Sequence, residues 1–112
     1  MNQDLYEVLK RTARVKGVLT YSEAGAPLNL SMRRPPDRNI LAGLLNEICE
    51  YEVSQNRPML SALVVLKHRK HMPSKGFFVF ARSLGKLAGD DTIAERQFWE
   101  KEKAEVYNCW ST

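Results

Sequence analysis

The sequence is poor in cysteine, histidine and long apolar runs, and each shortage excludes a class of protein. Two cysteines, Cys49 and Cys109, are too few for a disulfide framework. Their spacing matches no zinc motif, so they read as free thiols, buried or half-buried. Two histidines, His68 and His71, are the whole imidazole supply. No apolar run is longer than Ala62 to Leu66, far short of the roughly 20 residues that cross a bilayer. The opening MNQDLYEVLK has no basic stretch followed by an apolar block, so no secretory signal is expected and the cytoplasm is the expected compartment. Low-complexity tracts, internal repeats and linkers are also missing. No serine, cysteine or carboxylate constellation carries a catalytic mechanism, so the expectation is a protein that is not an enzyme and holds no cofactor and no metal.

What is present is ordinary for a folded domain. The 112 residues are 44% hydrophobic and 27% charged, which suits one domain spanning 1–112 with a core that needs no staple. The formal charge of +4 is unevenly spread. Asp90, Asp91, Glu95, Glu100, Glu102 and Glu105 outweigh Arg96, Lys101 and Lys103 in the segment 90–112. The rest of the chain is therefore more basic than the total suggests. Its densest part is KHRKHMPSK, where Lys67, His68, Arg69, Lys70, His71 and Lys75 occur with no carboxylate among them.

Hydrophobic spacing gives the elements. Leu5, Val8, Leu9 and Ala13 predict an amphipathic helix over Asp4 to Lys16, capped by Asn2 or Asp4 and stopped by Gly17. Thr20 and Glu23 have capping-box spacing and predict a short second helix, soon interrupted by Gly25 and Pro27. Leu28 to Asp37 reads as irregular because Pro35 and Pro36 oppose helix. Asp37 then caps a third helix whose stripe is Ile40, Leu41, Leu44, Leu45, Ile48 and Cys49. It runs to about Gln55, with Asn56 suited to a left-handed exit and Pro58 beyond. Leu60 to Leu66 predicts a strand. Phe77, Phe80, Ala81 and Leu84 have helical spacing, although FFVF also suits a strand pairing with LVVL. That segment ends at Gly85 or Gly89. Thr92 and Glu95 again have capping-box spacing, and a long helix is expected over 91–108. The predicted class is α+β, mostly helical: a winged-helix-like domain with a small β-hairpin and a long C-terminal helix.

The basic segment then reads as the wing. Cations crowded at a hairpin tip repel one another, and closely spaced phosphates relieve that repulsion while releasing counterions. The bland reading is a solvated loop neutralised by the acidic C-terminal helix. Arg33 and Arg34 lie in a proline-stiffened loop ahead of the third helix, where such domains approach the duplex backbone. Arg38 and Asn39 occupy that helix's first turn and can address guanine and adenine edges. Glu47, Glu50 and Glu52 on the same helix oppose deep insertion into a groove. His68 and His71 could instead serve as metal ligands or an acid–base pair in a small nuclease, but no Asp, Glu or Cys nearby completes such a site.

Two resemblances extend the reading. Val18 through Phe78, with VLTYSE and with LSALVV before a basic loop and GFF, resembles the winged-helix half of methylguanine–DNA alkyltransferases and their alkyltransferase-like relatives. Their reactive Pro-Cys-His-Arg motif has no counterpart here, and Leu63 to Leu66 offers no thiol, so alkyl transfer is not implied. The second half is also similar to a family of small bacterial proteins of uncertain function. The positions that carry that similarity are Asn56-Arg57-Pro58, Leu60-Ser61-Ala62, Met72-Pro73, Gly76-Phe77-Phe78 and Phe98-Trp99. The resulting expectation is a nucleic-acid-binding domain whose partner is duplex DNA. Arg33, Arg34, Lys67, Arg69, Lys70 and Lys75 would meet phosphates, with Arg38 and Asn39 at base edges and no membrane involved. The alternative is a protein-interaction adaptor, or a subunit of a bacterial or phage complex. It would use Phe98, Trp99, Tyr107 and Trp110 of the C-terminal helix to bind a partner or to form a homodimer.

Overall fold

The N-terminal helix shows how closely local chemistry sets these elements. In the computed structural model, which describes residues 1–68 and 72–111, α1 spans Gln3–Arg14. The Asn2 side chain accepts the Leu5 N–H at 2.9 Å and closes the first turn. The helix ends two residues before the expected Lys16, because Lys16 turns left-handed at φ 53° and Gly17 returns its N–H to Thr12 O. A two-residue strand β1, Leu19–Thr20, leads directly into α2, Tyr21–Gly25. The predicted capping box is complete there: Thr20 Oγ1 accepts the Glu23 N–H, and Glu23 Oε1 accepts the Thr20 N–H.

The third helix, α3, spans Pro35–Ser54. It begins before Asp37, which corrects the expected cap. Pro35 and Pro36 occupy the first turn, where a missing N–H is harmless. Asp37 sits inside the helix and accepts the Ser31 N–H at 2.9 Å, fastening the preceding turn to it. Asn56 makes the expected left-handed exit at φ 59°.

The next segment departs most from expectation. Leu60–Leu63 is a buried 3-10 turn, and only Val64–Val65 forms a strand, β2. The partner of β2 is β1, paired in parallel with Leu19 opposite Val64 and Thr20 opposite Val65. The predicted β-hairpin is therefore replaced by a two-stranded parallel sheet. The physical reason lies in FFVF. Phe77, Phe78 and Ala81 are buried on one side of a helix, α4, Lys75–Ser83, so these residues cannot also be a return strand. A chain turn at Gly85, φ 74°, ends α4. The last helix, α5, spans Thr92–Trp110. Its cap is Asp91, accepting Ala94 N–H at 2.7 Å, rather than the expected Thr92–Glu95 box.

The buried 3-10 turn is the hub. Leu60, Leu63 and Val64 join Leu5, Leu9, Leu41, Leu45, Ile48 and Val106 in one cluster. Met59, Ala62 and Val65 join Cys49, Phe77, Phe78, Ala81, Leu87 and Trp99 in the other. Two buried carboxylates hold the hub. Glu52, fully buried, accepts Tyr6 OH at 2.5 Å and Arg57 Nε at 2.5 Å. Glu102 accepts the Met59 N–H at 2.9 Å and pairs with Lys86. Trp99 Nε1 donates to Ala62 O at 2.8 Å. Glu52 was expected on the outer face of α3, and Ile40 in its buried stripe. The structure reverses both, with Ile40 50% exposed. Among the described residues no helix is long and apolar enough to cross a membrane.

Candidate nucleic-acid interface

The basic surface begins in the turn before α3. Arg34 donates its N–H to Ser31 O at 3.0 Å, and Ser31 is itself held by Asp37. The Arg33 N–H adds a longer bond to Ser31 Oγ at 3.3 Å. The turn is thus fixed through its backbone, which leaves both side chains exposed. Arg38, one helical turn on, donates Nη1 to Met32 O at 2.9 Å, so one edge of its guanidinium braces the same turn. Asn39 beside it is exposed.

A second basic contribution comes from the end of β2. Lys67 and His68 follow directly and are exposed. Leu66 N–H donates to Met72 O at 2.7 Å, drawing the two sides of this segment together. Arg69, Lys70 and His71 lie outside the described residues. Ser74 and Lys75 then open α4, where no acidic residue occupies the first turn. The positive end of the helix dipole and the Lys75 ammonium therefore reinforce each other.

The two contributions meet at one cleft of about 910 Å³. Arg38 and Ala42 from α3, Met32 from the preceding turn, Tyr21 from α2, and Val65 through His68 with Ser74 all line it. Arg38 and Lys67 thereby share a cavity although they come from separate parts of the sequence. Arg33 and Lys75 follow Met32 and Ser74 in the chain but are not among the residues that line the cleft. A latch holds the floor: Tyr21 OH donates to Ser74 Oγ at 3.2 Å and accepts the Ser74 N–H at 3.0 Å. Burial pushes the Tyr21 phenol above its ordinary range, so it stays neutral here.

Among the described residues, no carboxylate of the acidic helix forms an ion pair with this surface. Glu95 pairs with Arg82 at 2.7 Å, Glu102 with Lys86, and Glu100 with Arg96 at 3.5 Å. No ion pair among the described residues involves Arg33, Arg34, Arg38, Lys67 or Lys75. Glu23, which also lines the cleft, is committed to the capping box. Lys75 instead lines a smaller depression of about 460 Å³, together with Arg82, Asp90 and Glu95.

The described residues contain no cluster of three or more His, Cys, Asp or Glu able to hold a metal ion. Cys49 and Cys109 are free. Cys49 is fully buried beside Ser61, and burial pushes its thiol up to about 11. The aromatic residues of α5 are absorbed by the core. Trp99 is buried, while Phe98, Tyr107 and Trp110 pack against the two clusters. None of the four is among the exposed large hydrophobic side chains. Sequence reasoning missed the Tyr21–Ser74 latch, although the Thr20–Glu23 spacing already placed Tyr21 at the first position of α2.

The chain is an α+β protein, mostly helical, with a small parallel sheet and a basic cleft at its edge. Against family models, curated proteins and solved structures alike, it finds no match.

Proposed function

We propose that this chain is a non-enzymatic nucleic-acid-binding domain, with duplex DNA as its partner. Arg33, Arg34, Lys67 and Lys75, together with Arg69 and Lys70 of the same basic segment, contact phosphates. Arg38 and Asn39 address base edges from the first turns of α3. The observation that carries this reading is that Arg38 and Lys67 line one cleft while the nearby carboxylates are engaged elsewhere. Cations gathered this way repel one another, and a polyanion relieves that repulsion. The exposed Glu47 and Glu50 keep the rest of α3 away from phosphates, so contact is made by the start of the helix and the segment after β2.

Fluorescence anisotropy of a labelled duplex over a salt series tests the reading. About four to six phosphate contacts give a slope of log K against log salt near −4 to −5. Lys67→Glu and Lys75→Glu each weaken binding across all sequences and make that slope shallower by about 1. Absence of duplex binding at low ionic strength, or binding indifferent to both changes, overturns it.

A further inference from the structure

The cleft itself is not explained by phosphate contacts. A duplex is a convex rod, and it touches the rim of a concavity without filling it. We infer that the cleft accommodates one nucleotide unit, with its phosphate at the Arg38 and Lys67 rim and its base against Met32 and Ala42. This rests on the reading above in that it uses the same two cations.

Three features support this occupant. The volume of about 910 Å³ falls within the roughly 300–1,000 Å³ of small-ligand sites. The wall offers a thioether and a methyl from Met32 and Ala42, which suit the flat apolar faces of a base. Charge is complementary. Arg38, Lys67 and His68 lie at the cleft, and the one carboxylate lining it, Glu23, already accepts the Thr20 N–H at 2.8 Å. Arg38 spends Nη1 on Met32 O, which leaves its other guanidinium nitrogens for an anion. An apolar peptide would leave these cations without partners, and a bare inorganic anion would leave the apolar wall wet.

The test uses the full chain and adenosine 5′-monophosphate as probe, followed by titration calorimetry, with inorganic phosphate and adenosine as comparisons. Saturable binding of the monophosphate is expected, about tenfold or more tighter than either fragment. Ala42 is exposed on α3, so Ala42→Phe fills the cleft without disturbing the core or the charge. It should weaken monophosphate binding about tenfold. Lys67→Gln should weaken binding of both the monophosphate and the duplex. A single-stranded decamer separates the two sources of the nucleotide. If Ala42→Phe weakens the decamer too, the occupant is an unpaired residue of a strand; if only the monophosphate suffers, it is a free nucleotide. Monophosphate binding no tighter than that of phosphate, or unchanged in Ala42→Phe, overturns the inference. Loss of duplex binding with monophosphate binding retained would overturn the broader reading and leave this one standing.

Discussion

Two groups of cations in this molecule behave in opposite ways. Arg57, Lys86 and Arg82 each meet a carboxylate that is buried or half-buried. Arg33, Arg34, Lys67 and Lys75 meet none among the described residues. Arg57 and Lys86 meet the two carboxylates that hold the hub, and Arg82 ties α4 to α5. The second group sits on segments fixed by other contacts: Asp37 holds the turn through its backbone, and Tyr21 and Ser74 act through hydroxyls. Clustering of charge along the sequence therefore does not separate the structural cations from the available ones. What separates them is whether a carboxylate from another element arrives within reach.

The largest expected effect tests the fastened group. Glu52→Ala strands the Tyr6 hydroxyl and the Arg57 guanidinium, and should lower unfolding free energy by about 3–5 kcal/mol in urea. Glu102→Gln keeps the shape but weakens the bonds to Met59 N–H and Lys86, at a cost of about 1–3 kcal/mol. If either change leaves the urea midpoint in place, the division into two groups fails.

A pH series sharpens the same side of the comparison. Burial, with Glu52 beside it, pushes the Tyr6 phenol from 10.0 up to about 12. Because the folded value lies above the unfolded one, its contribution is complete below pH 10 and is lost as pH rises towards 12. The urea midpoint should fall across that window, and Tyr6→Phe should flatten the fall.

Smaller effects probe the open face. Gly43 lies in α3 beside Ala42, and a Cβ there would meet nothing within 4 Å. Gly43→Ala should stabilise the fold by about 1 kcal/mol through helix propensity. A simultaneous loss of duplex affinity would show that a partner approaches this backbone closely. Least of all, the double change Lys67→Glu and Lys75→Glu should leave the urea midpoint unmoved while abolishing nucleic-acid binding. A shifted midpoint would mean that these cations also carry structural weight.

Much of the helical frame was legible because its signals are local. The Thr20–Glu23 box, the left-handed Asn56, the stripe Leu41–Leu45–Ile48 and the aromatic side of α4 are all written within one or two turns. What was not legible depends on distant partners. Val64–Val65 reads as part of a longer strand, but its neighbour is Leu19–Thr20, and nothing local announces a parallel two-residue pairing. Glu52 looks like a solvated helix residue until Tyr6, 46 positions away, donates to it. Pro35 and Pro36 were read as barriers, since proline opposes a helix interior yet fits its first turn. At the candidate site, the residue types were legible from the basic run and the arginine pair. The meeting of Arg38 and Lys67 at one cleft was not, because it depends on how β2 is seated against β1 and α2.

The pairing of β1 with β2 also governs when the molecule can assemble. Its two strands flank the whole of α3, and the turn that feeds β2 is capped by Glu102, far into the last helix. Local helices can form early, but a loop of this length must close before any of the interior is shielded. While the chain is being made, the apolar sides of α1 and α3 therefore stay wet until Leu60 to Val65 have left the ribosome. During that interval they are surfaces for a chaperone to hold.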